Sequence, residues 1–223
     1  MTGQYVTGRY ITLERLHPAQ HGDSLWREVG GIEKAEFWRW MPDGPFPTRA
    51  ELDAVLAAKA VSTDPLFHAV VDNATGEALG HASFMRIEPT HRVIEVGGIM
   101  FGPSLQRTRG ATESMYLMAK HAFEDLGYRR YEWKCNRLNE PSRNAALRLG
   151  FTFEGIFRQH MIIKGVNRDT AWFSMLDSEW PARKAAFERW LDPANFDAAG
   201  KQKTPLALLQ RVCQTSHSGS VPG

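Results

Sequence analysis

Apolar and polar positions alternate through "RYITLERL" (residues 9–16), the two-residue period of a strand with one buried face, and a first helix is expected over Gln20 to Val29. The run "PTRAELDAVLAAKAVS" changes period: Leu52, Val55, Leu56 and Lys59 recur at helical intervals. Thr48 and Glu51 stand at capping-box spacing, where a hydroxyl and a carboxylate satisfy each other's backbone amides at a helix start. Between these helices, "EFWRWMPDGPFP" is rich in Trp and Pro and reads either as an ordered loop folded over the core or as a segment touching substrate through Trp38 and Trp40.

From Leu66 to Phe101 the period is that of a meander, with "FHAVVD", "EALGHASFMRIE" and "RVIEVGGIMF" separated by the turn-rich "NATG" and "PTH". Gly97 and Gly98 interrupt the third run. Glycine is a poor strand former, so a bulge or a close backbone approach is expected there, and with it a place for a ligand.

Further on, Met115, Met118, Ala119, Ala122 and Leu126 make an apolar helical stripe ending at Gly127, and the strand "YRRYEWKC" follows. Asn139 is placed to cap a short helix with Pro141 in its first turn, and Gly150 to end it. Then "FTFEGIFRQHMIIK" and "DTAWFSML" read as antiparallel strands joined through "GVNR", and "WPARKAAFERWL" as a last helix. Residues 1–194 are expected to form one domain, and 195–223, ending "SHSGSVPG", a mobile tail.

Composition narrows the function classes. With 43% hydrophobic and 23% charged residues and a net charge of +2, the chain of 223 residues reads as globular, with no broad electrostatic reason to bind nucleic acid. The charge is local: Gln106 to Arg148 holds nine Lys and Arg against five acids. Cys135 and Cys213 lie far apart and outside any metal motif, which fits a reducing compartment and predicts no metal. Neither a signal peptide nor a membrane-crossing run is read from the sequence, so a cytoplasmic protein without a membrane partner is expected.

The basic stretch has a specific chemistry. In "SLQRTRGATESM" (104–115) two arginines and a glycine precede a helix, whose first turn exposes unpaired amides and carries roughly half a positive charge. Gly110 and Ala111 leave the backbone open to a ligand, and Arg107 and Arg109 can pair with phosphate oxygens. Such a mouth suits a pyrophosphate.

The order of these parts resembles the Gcn5-related N-acetyltransferase (GNAT) superfamily, over about residues 9–180 and most closely over about 93–176. The family's pyrophosphate turn is Q/R-x-x-G-x-G/A; "QRTRGA" supplies Gln106 and Ala111, with Arg109 standing where the first glycine would be. Its second signature, N-x-x-A-x-x-x-Y-x-x-x-G-F, reads here "NEPSRNAALRLGF": Asn139, Gly150 and Phe151 fit, Ala146 replaces the tyrosine and Ser142 the alanine. A serine three residues after that asparagine is similar to the RimJ/RimL branch, the ribosomal-protein N-terminal acetyltransferases and their relatives.

The resemblance implies an α+β fold: a mixed, mostly antiparallel sheet flanked by helices and splayed between its fourth and fifth strands. It implies acetyl-CoA as cosubstrate and no metal. Ile99, Met100 and Phe101 would lie along the pantetheine arm, and Gln106, Arg107, Arg109, Gly110, Ala111 and Thr112 at the pyrophosphate. Asn139 would hold the arm, and Ser142 would serve the departing thiolate.

The attacking amine must be neutral. An α-amino group is roughly one-tenth neutral at pH 7, lysine about once in a few thousand, so a peptide N-terminus needs far less help. Glu95, just before the glycine pair, is the first candidate base and Glu132 the second. His160 and His81 can also serve, although a lone strand histidine more often has a structural hydrogen bond. Trp38, Trp40, Glu132 and His160 are the candidate acceptor contacts. Three functions are carried forward: an N-acetyltransferase acting by direct attack on a protein or peptide N-terminus, one acting on a small amine such as an antibiotic, amino sugar or polyamine, and a non-catalytic CoA-binding module. A homodimer is left open.

Overall fold

The computed structural model describes residues 6–215. Eight strands form one sheet in the order β1-β2-β3-β4-β5-β6-β8-β7. They are β1 (Val6–Thr7), β2 (Ile11–Arg15), β3 (Leu66–Asp72), β4 (Ala78–Glu88), β5 (Val93–Phe101), β6 (Arg130–Asn136), β7 (Thr152–Ile163) and β8 (Val166–Leu176). All neighbours are antiparallel except β5 and β6. The helices are α1 (Pro18–Val29), α2 (Arg49–Val61), α3 (Arg109–Lys120), α4 (Glu140–Arg148), α5 (Trp180–Leu191) and α6 (Leu206–Thr215).

Alternation along the strands produces two cores. On β3, Val70 packs into the cluster with Met118, Phe173 and Phe187, while Ala69 and Val71 turn to the cluster with Leu25, Leu52 and Leu56. Helices α1 and α2 thus cover one face, and α3 and α5 the other. The Thr48 and Glu51 capping box forms as expected at the start of α2.

The sheet opens at the parallel pair. Val93 to Val96 pair with Arg130 to Trp133 and the register stops there, while β5 runs on to Phe101 beside β4 alone. These are the fourth and fifth strands expected from the sequence to splay, counted without the two-residue β1. Gly97 and Gly98 explain the parting. Gly98 has φ +56°, and a Cβ there would stand 2.9 Å from the Phe67 ring and 3.0 Å from Ser83 Oγ. The β4–β5 register shifts between His81 and Ser83, opposite this pair.

The C-terminal segment differs from the sequence expectation. Residues 193–204 form a short pinned loop, in which Asn195 Oδ1 accepts from Thr204 N at 2.9 Å and Gln202 Oε1 accepts from Trp190 Nε1 at 2.7 Å. Helix α6 then buries Leu206 and Leu209 against the core, so the expected mobile tail is folded through 215; residues 216–223 lie outside the described residues. Polar turn residues hid the helical period of "LALLQ".

Candidate active site

A cleft of about 1380 Å³ enters the sheet where β5 leaves β6 and runs to the start of α3. Its far end is built by Thr108, whose hydroxyl caps α3 by accepting from Ala111 N at 3.1 Å. Arg107 takes φ +63°, a left-handed conformation that costs a non-glycine residue of order 1 kcal/mol. Gln106 donates from Nε2 to Phe101 O at 2.7 Å, which ties the turn to the end of β5. Gln106, Arg107, Arg109, Ala111 and Thr112 all line the cleft.

Gly110 has another reason to be glycine. A Cβ at this position would meet Ile11 Cγ2 at 2.8 Å, so the missing side chain lets α3 lie close on β2 instead of opening the backbone to a ligand. Gly110 does not line the cleft, nor does Thr108 leave Ala111 N free.

In the middle, Ile99, Met100 and Phe101 face Asn139 and Ser142 across the parting. Asn139 caps α4 through Oδ1, which accepts from Ser142 N at 3.2 Å. Trp133 donates its indole N–H to Ser142 Oγ at 3.0 Å. Indole is a donor only, so the serine hydrogen must point elsewhere. It also meets Cys135: burial pushes this thiol above its usual range, and a hydrogen bond with Ser142 works against that.

Glu95, at the inner end, is 4% exposed and lines the cleft. Its Oε2 lies 2.9 Å from Lys134 Nζ and 3.0 Å from Arg86 Nε. Burial raises its pKa, against the opposing pull of Lys134 and then Arg86. Lys134 also stands 2.7 Å from Glu132 Oε2 and 3.7 Å from the centre of the Trp172 ring. Glu132 does not line the cleft: burial works upward on its carboxyl, but hydrogen bonds from Lys134 and Arg130 outweigh that and hold it low. A carboxylate held between two cations and kept ionised is a partner for Lys134.

The end of the cleft away from α3 is bounded by Phe37, Trp40, Met41, His160 and Arg168. Trp40 lines it, whereas Trp38 is fully buried in the second core and donates from Nε1 to Val29 O at 2.8 Å. The "FWRW" segment is thus an ordered loop anchored by Trp38, with Trp40 turned to the cleft. Lys164, in the β7–β8 turn, donates to Trp38 O at 2.9 Å and closes the hairpin over this segment. His160 Nδ1 lies 2.9 Å from Thr170 Oγ1, and burial, followed by Arg86 and Arg168, lowers its pKa. His81 is away from the cleft. With Lys59 Nζ 3.3 Å from its Nε2, the ring proton is assigned to Nδ1, which donates to Gly98 O at 2.9 Å and fixes the bulge.

Sequence reasoning missed Lys134, Arg168 and Thr108. Glu132 and Lys134 are two apart on a central strand, and a charge pair on one face of such a strand is a usable signal. Among the described residues no group of three or more His, Cys, Asp or Glu is arranged to hold a metal, and no helix is long and apolar enough to cross a membrane.

The cleft thus enters between parting parallel strands and reaches the arginine-bearing start of α3. Residues 11–152 match the family model for the acetyltransferase (GNAT) domain. The chain belongs to the GNAT family. It is similar to the crystal structure of a GCN5-related N-acetyltransferase from Brucella melitensis, at 49% identity over 93% of this chain and 94% of that one, with a TM-score of 0.91. Among curated proteins it resembles two from Bacillus subtilis. "Uncharacterized N-acetyltransferase YoaA" is 30% identical over 46% of this chain. "Putative ribosomal N-acetyltransferase YdaF" is 27% identical over 49%. The matches span 57% and 59% of those relatives' lengths.

Proposed function

We propose that the protein transfers an acetyl group from acetyl-CoA to a primary amine, by direct attack within a ternary complex, and that the acceptor is a protein or peptide N-terminus. The single observation that carries this is the parting of β5 from β6: among the described residues the β5–β6 pairing ends at Val96, and β5 from Gly97 to Phe101 lines the cleft. An extended pantetheine arm fits β5 there as a substitute strand, and the α3 mouth suits its pyrophosphate. That fit supports acetyl-CoA as donor.

In this reading the amine nitrogen forms its bond to the acetyl carbonyl carbon, and the C–S bond breaks. Glu95 takes the proton from the attacking nitrogen, directly or through one water; burial raises its pKa and makes it a stronger base than an exposed glutamate. An N–H of β5 around Gly98 to Met100 donates to the developing oxyanion. Ser142, its oxygen held by Trp133, gives its hydrogen to the departing sulfur and is reprotonated through water, to which Glu95 releases the proton it took.

The acceptor end bears on the second reading. Arg168 has no carboxylate within 4.0 Å among the described residues, its buried Nε has no hydrogen-bond partner, and it lines the same cleft as Lys134 and Arg86. Glu95 and Glu132 offset Lys134 and Arg86, so Arg168 is the cation left over at this end, and its charge disfavours a polyamine or a polycationic amino sugar. The name of YdaF supports a peptide acceptor.

The test is thiol release from acetyl-CoA in the presence of N-terminal peptides, lysine peptides, amino sugars and polyamines. Turnover is expected to be best with an N-terminal amine. Preference for a polyamine overturns the acceptor, and binding without any turnover would make this a CoA-binding module.

A further inference from the structure

Beyond the α3 mouth the cleft continues between Arg109, Arg148 and the C-terminal loop. Arg148 closes α4 and donates from both Nη1 and Nη2 to Thr112 Oγ1, each at 3.2 Å, with its guanidinium 5.0 Å from the centre of the Trp190 ring. Arg109 opens α3, donates from Nη1 to Tyr10 Oη at 3.3 Å, and stacks 3.9 Å above the centre of the Phe196 ring. Every side-chain partner of these two guanidiniums is neutral. Among the described residues neither has a carboxylate within 4.0 Å, although burial already works against the charge on Arg148.

Two such cations on one wall, held flat against aromatic rings, are oriented but not neutralised. Neutral hydroxyl partners fix their planes and leave N–H groups for an anion. The loop is ordered for the purpose: Gln202 is held by Trp190, Asn195 by Thr204, and Phe196 bridges to Gln202. Position 200 is glycine with φ +76°, and a Cβ there would reach 3.5 Å from Arg109 Nη2. Trp190 and the loop residues lie outside the 11–152 span of the family match.

We infer that Arg109 and Arg148, backed by Phe196 and Trp190, form a subsite for a phosphate monoester at the nucleotide end of the donor, so that the protein distinguishes acetyl-CoA, with its 3′-phosphate, from acetyl-dephospho-CoA. The inference rests on the proposed use of acetyl-CoA. A pyrophosphate at the α3 mouth presents two diester-like charges to amides, whereas a monoester carries a charge near −2 and three oxygens matched to guanidinium forks. Arg109, which departs from the family's glycine, thereby acquires a role that the amide cradle alone does not offer.

Calorimetry of the full chain with acetyl-CoA and with acetyl-dephospho-CoA, at about 0.15 M salt, tests it. The wild type is expected to bind acetyl-CoA roughly tenfold to a hundredfold more tightly, the return on one or two charge-assisted hydrogen bonds. In R109Q with R148M that ratio is expected to fall to within about threefold of unity, whatever the double substitution does to the binding both donors share through the pyrophosphate; R148K, which keeps the charge and loses the fork, is expected to fall between. Equal affinities in the wild type overturn the subsite, and so does a ratio that survives the double substitution in a protein with an unchanged melting transition. Since the wild-type comparison needs no variant, misfolding of either one leaves the test intact. Failure to bind both donors overturns the proposed function itself.

Discussion

Lys134 stands 2.9 Å from Glu95 and so couples the candidate base to a charge network that runs from buried Glu132 through half-buried Arg130 to exposed Glu154. The same ammonium that keeps Glu95 in place also limits how far burial can raise its pKa. The carboxylate is the active form, so kcat/KM is expected to rise with pH along a limb whose midpoint lies above about 4.3, the ordinary glutamate value. Glu95→Gln is expected to lower turnover about a hundredfold at pH 7 and to remove that limb. A pH–rate profile of the two proteins checks both.

Ser142 is expected to act on turnover and not on donor affinity. Ser142→Ala removes the hydrogen offered to sulfur while the amides of β5 and α3 stay in place, so kcat should drop about tenfold or more with acetyl-CoA affinity changed by less than about threefold. Steady-state kinetics together with calorimetry separate the two.

The two tryptophans of "FWRW" should part company. Trp38→Ala empties a fully buried site and loses the bond to Val29 O, at a cost of about 3–5 kcal/mol in urea unfolding. Trp40→Ala, at the cleft, is expected to leave stability within about 1 kcal/mol and to raise the acceptor KM.

His81 makes stability depend on pH. Its folded pKa is depressed, by burial first and then by Lys59, so the unfolded chain takes a proton that the folded one refuses. Its contribution is fully present above the unfolded value near 6.5 and is lost as pH falls below it, by up to about 1.4 kcal/mol per pH unit. Chemical denaturation from pH 7.5 to 5 should show this slope, and His81→Gln should flatten it.

Local periodicity made most of the fold legible. Thr48 with Glu51, Asn139 with Pro141, and the glycine pair at 97–98 are signals whose physics is contained in a few neighbouring residues, and each stands where expected. What needed three dimensions was less visible. Gly110 is a glycine because of Ile11, ninety-nine positions away in the chain, and Trp38 differs from Trp40 only through the core above which the loop runs. Lys134 carries no motif, and its importance comes from Glu95 and Trp172 converging on it from separate strands. The loop after Asn195 reads as polar and Gly-bearing, yet Arg109 and Trp190 give it a surface to fold upon.

The central claim is that the gap between β5 and β6 receives the donor, with its nucleotide at the start of α3. A crystal structure with acetyl-CoA is the most direct test. The account predicts pantetheine hydrogen-bonded to β5 beyond Gly97, phosphates at residues 107–112 and sulfur beside Ser142. Donor bound outside this gap, or β5 and β6 paired through Phe101 in the complex, would contradict it.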